Sequence, residues 1–324
     1  MAGGQERILR RRIRSVQSTK KITRAMELIA ASRIVRAQAR VEAAVPYSEQ
    51  ITEVVHDLAD AGGAVDSPLL VPRPETRRVA HIVLTADRGL CGAYNSSILR
   101  ATEGEMQEHR ELGRDSVLYV VGRKGESYFR FRNYPTAATF TGFSDQPTYE
   151  DARVIAAAAA EPFLAGEVDL VQIVYTRFVT VGFQEVVVRP LMPLDRESLR
   201  GEEEEERRDE RDGESARAAY EFEPGPEAIL ERLLPRYVEA RVFAALLNAA
   251  ASEHAARQRA MKAATDNADE LIVGLTRVMN RARQDAITTE ITEIVGGAEA
   301  LRQLGGQGGE EPFGEDLRVH AYAE

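Results

Sequence analysis

The segment Thr85-Ala86-Asp87-Arg88-Gly89-Leu90-Cys91-Gly92-Ala93-Tyr94-Asn95 follows a run of β-forming residues and opens a helical pattern. In a dinucleotide-binding enzyme, that position seats a phosphate on the helix N-terminus, where unpaired N–H groups favour an anion. Such a site needs glycines at set intervals, and neither G-x-G-x-x-G nor G-x-x-x-x-G-K-S/T is present. Cys91 is the one cysteine, and a thiol nucleophile needs a base beside it. His81, the nearest histidine, falls inside the preceding strand, so no Cys–His pair is set up. A tight glycine turn is the preferred reading. Gly122-Arg123-Lys124-Gly125, after a second strand pattern, is phosphate-like in the same superficial way, and a structural turn is again preferred. His56, His81, His109, His254 and His320 are scattered, with no two at metal-ligand spacing. No catalytic residue, cofactor or metal is expected.

The elements that carry these segments are of two kinds. Between Gln5 and Ala61 there is no glycine and one proline, Pro46. Apolar or small residues recur at Val16, Thr19, Ile22, Met26 and Ile29, then Ile34, Ala37, Val41 and Ala44, then Tyr47, Ile51, Val54 and Leu58. Steps of three and four predict one helical stripe on a rod of roughly 75 Å. After Pro235 the same spacing returns at Val238, Val242, Leu246, Ala249, Ala256, Ala260 and Ala263, then Leu271, Leu275, Val278, Ala282, Ile291 and Val295. Two such rods at opposite ends predict an antiparallel coiled coil.

The middle has the period of strands. Val79–Thr85, Val117–Val121, Val168–Tyr175 and Glu185–Val188 are short β-forming runs, with helical patterns near Asn95–Arg110, Gly125–Phe131 and Thr148–Leu164. Their alternation predicts a small Rossmann-like α/β domain with a largely parallel sheet. The expected organisation is an N-terminal coiled-coil helix at 1–60 and an α/β domain at 77–194. An acidic flexible insert at 195–226, a C-terminal coiled-coil helix at 227–297 and a Gly-rich tail at 298–324 follow.

Charge sharpens this division. The chain has a formal charge of −10, which argues against general nucleic-acid binding. Its first 40 residues nevertheless hold eleven Arg and Lys against Glu6 and Glu27. Arg10-Arg11-Arg12 has the composition of a nucleic-acid or targeting patch, but on a long solvated helix of an acidic chain a surface face or a protein-contact face is preferred. The run Glu202–Glu206 is read as a solvated loop, with a regulatory element as the alternative. A single cysteine excludes a disulfide framework. No apolar run approaches the roughly 20 residues of a spanning helix, and no apolar signal core precedes the first helix, so a leaderless soluble chain is expected.

Three stretches, in order, resemble the gamma subunit of F-type ATP synthases. The first is Ile13-Arg14-Ser15-Val16-Gln17-Ser18-Thr19-Lys20-Lys21-Ile22-Thr23-Arg24-Ala25-Met26-Glu27 with Ala30-Ala31-Ser32, and the second is Thr85 to Gly92. The third comprises Met261-Lys262-Ala263-Ala264-Thr265-Asp266-Asn267 and Ile287-Thr288-Thr289-Glu290-Ile291-Thr292-Glu293-Ile294-Val295. The likeness covers about residues 1–297, and the Ala/Arg-rich composition is that of a high-GC, actinobacterial type of chain.

The resemblance implies a non-catalytic central-stalk rotor. Its partners would be the alpha and beta subunits of an alpha3beta3 ring, the epsilon subunit and the c-ring, at the cytoplasmic face of the bacterial membrane. It also implies contact with acidic beta-subunit loops through Lys20, Lys21, Arg24 and Met26, and through Arg257, Gln284, Thr288 and Glu290. Two departures from the family stand out: the chain continues to Glu324 where relatives commonly end near Gly297, and the loop at about 196–225 is long. That loop lacks the cysteines of the chloroplast redox insert and is expected to modulate hydrolysis. An unrelated coiled-coil adaptor needs only the rods, and a Rossmann-like enzyme needs only the middle domain.

Overall fold

A computed structural model describes residues 2–60, 67–194 and 225–305. The elements are α1 (Ala2–Asp60), β1 (Arg78–Leu84), α2 (Tyr94–Glu111), β2 (Asp115–Val121), α3 (Arg123–Phe131), β3 (Thr136–Phe140), α4 (Tyr149–Leu164), β4 (Leu170–Phe178), β5 (Gln184–Met192) and α5 (Pro226–Gly305). The chain divides into two compact units: Ile22–Thr265, and a unit that joins Met1–Lys21 to Asp266–Glu324.

In the first unit the strands form one sheet in the order β3-β2-β1-β4-β5. β1 to β4 are parallel and β5 runs antiparallel to β4. β1 is buried from Val79 to Leu84, because helices cover both faces of the sheet. That explains its unbroken apolar run, where a half-exposed strand would alternate. Ala80, Ile82 and Leu84 pack with Ile155 and Phe163 of α4, Val55 and Leu58 of α1, and Leu230, Leu234 and Tyr237 of α5. Val83 packs on the opposite side with Ile98, Leu99 and Met106 of α2 and Phe129 of α3. α4 begins at a capping box: Asp151 N donates to Thr148 Oγ1, and Thr148 N donates to the Asp151 carboxylate.

The four strand patterns of the sequence fall on β1, β2, β4 and β5. β3 has no counterpart among them. Its Thr-Ala-Ala-Thr-Phe run lies at a sheet edge with none of its residues fully buried, so no burial pattern marks it. β5 is longer than its pattern and carries Pro190, which an edge strand tolerates.

The stripe on α1 follows the expected one at Ile34, Ala37, Val41, Ala44, Ile51 and Leu58, and departs from it mainly between Thr19 and Ile29. Ile13, Thr23, Glu27, Ala30, Ile34, Ala37, Ile51, Val55 and Leu58 are buried, with Val16, Lys20, Val41, Ala44 and Ser48 half-buried. These positions form two interleaved seven-residue repeats. A 3.5-residue period of this kind belongs to a left-handed supercoil. Ile22, Ile29, Tyr47 and Val54, placed on the stripe from sequence, are exposed instead, Ile22 by 58% and Ile29 by 55%. α5 keeps the expected stripe at Val238, Val242, Leu246 and Ala249 and departs from it past Ala260. Thr265 and Ala268 are buried and Ile272 and Met279 half-buried, whereas Leu271, Val278, Ile291 and Val295 are exposed. Around Thr23, Glu27 and Ala30 of α1 and Thr265 and Ala268 of α5, the buried seam is built from small and polar residues. Thr23 and Thr265 share a hydroxyl–hydroxyl hydrogen bond of 2.8 Å in the larger unit, and Lys20 pairs with Asp269 in the smaller. A search for large apolar residues therefore finds the outer face there.

α5 also outruns its expected end. Gly296 and Gly297 lie inside the helix, which continues to Gly305, and the space around both is open. An interior glycine costs about 1 kcal/mol without stopping a helix. The expected tail is thus helical through Gly305, while 306–324 and most of the acidic insert, 195–224, lie outside the described residues.

Candidate partner-contact surface and the loop behind it

The strand order places a topological switch point between β1 and β4, the crevice where doubly wound enzymes bind ligands. Here the loop leaving β1 is tied down by the chain's own groups. Asp87, in the loop leaving β1, accepts from the backbone N–H of Arg123 at 3.1 Å, Gly142 at 2.8 Å and Ser144 at 3.1 Å. Asp87 N donates to Ser144 Oγ at 2.9 Å, and Ser144 Oγ donates to Glu253 of α5 at 3.2 Å. Glu253 pairs with Arg257 at 2.7 Å, and Arg257 also donates to the carbonyls of Arg88 and Gly89 at 3.4 Å. Tyr94 O–H reaches the Ala249 carbonyl at 3.2 Å, and Ser252 Oγ the Thr176 carbonyl at 3.1 Å.

The Gly122–Gly125 turn is equally committed. Gly122 has φ 92°, and a Cβ there would lie 2.2 Å from the Thr85 carbonyl oxygen. The first N–H groups of α3 are taken up internally: Arg123 by Asp87, Lys124 by the Ala86 carbonyl at 3.1 Å, and Gly125 by Thr85 Oγ1 at 2.9 Å. A helix start whose donors are spent offers little to an anion. Cys91 is buried, and burial pushes its thiol up, away from a reactive thiolate. Burial likewise pushes the Glu253 carboxyl up, against the pull of Arg257. This network is a clamp between the sheet and α5.

The residues singled out for partner contact are dispersed. In the smaller unit Lys20 is paired with Asp269, Lys21 is exposed, and Gln284, Thr288 and Glu290 are all exposed on α5. In the larger unit Arg24 makes a two-pronged pair with Glu27, 2.9 Å to each carboxylate oxygen, and Met26 is half-buried. Arg257 differs from the rest: it is 8% exposed and faces the clamp. Sequence reasoning took Asp87 only as part of a glycine turn and did not single out Ser144 or Glu253, whose contacts with one another join residues distant in the chain, although Glu253 stands one helical turn from Arg257.

Exposed apolar residues accompany these positions. Ile22, Leu28, Ile29 and Val35 on α1 are exposed, as are Ile287, Ile291, Ile294, Val295 and Leu301 on α5. In the smaller unit the Lys20–Asp269 pair sets an antiparallel register that brings the start of α1 opposite Ala286, the last half-buried residue of α5. Beyond it, α5 is exposed through Gln303. Covering a side chain such as Ile fully is worth about 1.5–3 kcal/mol, so this surface has much to gain from a partner.

The ATP synthase family model matches residues 5–301. The chain is 54% identical to an ATP synthase gamma chain of Frankia casuarinae, across 92% of this chain and 98% of that one. It is 50% identical to one of Acidothermus cellulolyticus, across 94% and 100%. In fold it is similar to a chain of the Euglena gracilis mitochondrial ATP synthase, with TM-score 0.65, 19% identity, and 97% and 99% covered. A chain of the Tetrahymena thermophila central stalk and c-ring structure gives TM-score 0.55 at 23% identity, with 75% and 99% covered. With its clamp turned inward and its apolar residues turned outward, this chain belongs to the ATP synthase gamma chain family.

Proposed function

We propose that the chain is the central-stalk rotor of a bacterial F1Fo ATP synthase, coupling proton-driven rotation of a c-ring to ATP synthesis and hydrolysis in an alpha3beta3 ring. It does no bond chemistry itself. The observation that carries this reading is the outward set of apolar residues on helices whose seam around Thr23 and Thr265 is small and polar. The described residues leave that set uncovered, and a surrounding ring can cover it. As the shaft turns, an asymmetric surface makes different contacts with successive ring subunits. Such differential contact shifts their conformational equilibria, which is all a mechanical effector needs.

In this reading Lys20, Lys21, Arg24 and Met26, with Gln284, Thr288 and Glu290, meet the acidic beta-subunit loops. A guanidinium fork suits their carboxylates. Arg257 acts from behind, holding the Arg88–Gly89 loop against α5. The α/β domain meets the epsilon subunit and the c-ring. The chain is then peripheral, on the cytoplasmic face of the cell membrane, and among the described residues no helix is long and apolar enough to cross it. The acidic insert modulates hydrolysis, and its deletion alters the hydrolysis rate of membranes.

Mild extraction of membranes with a tagged chain tests the assignment. Recovery with alpha, beta, epsilon and c subunits, and no ATPase activity in the isolated chain, is expected. Recovery without ring subunits makes it an adaptor.

A further inference from the structure

A second concave site lies wholly within the larger unit and outside the clamp. It is a groove of about 270 Å³ lined by Arg33, Arg36 and Arg40 of α1, Asp145 and Gln146 of the segment after β3, and His254 of α5. Arg33 pairs with Asp145 at 2.6 Å, and Arg40 donates to the Pro147 carbonyl. Between these two attachments Arg36 has no partner among the described residues. His254 Nε2 lies 3.3 Å from the Asp145 carbonyl, which can only accept, so Nε2 carries the proton. Burial holds His254 neutral, and the positive field of Arg257 and Arg33 reinforces this. Three guanidinium groups thus share one carboxylate around an open concavity.

We infer that this groove binds a phosphate-type dianion, held by Arg36 with help from Arg33 and Arg40. The uncompensated charge is about two units, which a doubly charged phosphoryl group neutralises. A tetrahedral group also offers more acceptor oxygens than a carboxylate, enough for several forked donors at once. Asp145 already supplies the groove with its carboxylate. The site is independent of the rotor assignment, since it rests on none of the residues proposed for ring contact.

Calorimetry of the full chain in a chloride buffer tests this with two probes, inorganic phosphate and ADP. Saturable binding at one site is expected, with a Kd of about a millimolar or tighter. Arg36→Gln weakens it at least about tenfold, and Arg36→Lys falls between, because it keeps the charge and loses the fork. Arg36 is exposed and without a partner, so both variants should melt like the parent. ADP binding more tightly than phosphate, with the same dependence on Arg36, identifies a nucleotide phosphoryl group as the ligand. Phosphate alone binding identifies the free ion. Absence of saturation, or equal binding by Arg36→Gln, overturns the inference. So does a polyglutamate peptide that occupies the site and is not displaced by phosphate, which makes the groove a protein dock.

Discussion

The sheet and one stretch of the terminal helices, around Thr23 and Thr265, use apolar residues in opposite ways. In the sheet, Val79 to Leu84 and Leu118 to Val121 are buried. On the helices, Thr23, Glu27, Ala30, Thr265 and Ala268 take the buried seam, and Ile22, Ile29, Leu271 and Val278 face outward. The sheet buries its apolar residues for its own stability, and in the proposed reading this stretch of the helices keeps its apolar residues for a partner. A stability assay and an assembly assay should therefore respond to different residues.

The largest stability effect is expected at the turn between β2 and α3. Gly122→Ala puts a Cβ on the Thr85 carbonyl at a φ that disfavours side chains, so it should cost more than about 4 kcal/mol and leave little soluble chain. A soluble, cooperatively melting variant would mean the turn is not held as described. Next comes Arg257→Met, which strands Glu253 in a buried site and should cost about 3–5 kcal/mol in chemical denaturation. Adding Glu253→Gln should recover much of that loss, because the unpaired charge goes with it.

Acid should act through the larger unit at a similar scale. His81 and His254 are buried, and burial lowers each to about 4 from an ordinary 6.5. The unfolded chain therefore binds protons between those values while the folded chain does not. Stability is full above about 6.5 and falls as pH drops toward 4, by about 3 kcal/mol for each histidine. His81→Leu should flatten this slope by about half; an unchanged slope would locate the titration elsewhere. The smallest effect sharpens the comparison most. Ile22→Ser with Ile29→Ser should shift the stability of the isolated chain by no more than about 0.5 kcal/mol per site, as at any exposed position.

Legibility in the sequence followed the same division. β1, β2 and β4 were readable because burial on both faces demands uninterrupted β-forming runs, and α2 and α4 because their apolar spacing faces that sheet. β3 escaped because an exposed edge strand needs no such run. The existence of α1 and α5 was plain from their length without breakers, and their buried face was legible where it is apolar, at Ile34 to Leu58 and Val238 to Ala249, but not where it is polar. Thr23–Thr265 and Lys20–Asp269 hold the seam with polar atoms, and periodicity of apolar residues cannot register them. Arg257 was found as a notable residue and assigned outward, since nothing in the sequence reveals that Glu253, one turn earlier, is buried beside it.

The central claim is that the outward apolar residues serve assembly alone. Reconstitution of the Ile22→Ser, Ile29→Ser chain with alpha and beta subunits tests it most directly, read as recovered complex and ATP hydrolysis beside the melting curve of the isolated chain. The account predicts an unchanged melt with markedly reduced assembly and hydrolysis. A variant that assembles and hydrolyses ATP like the parent, or one that fails because it no longer folds, would contradict it.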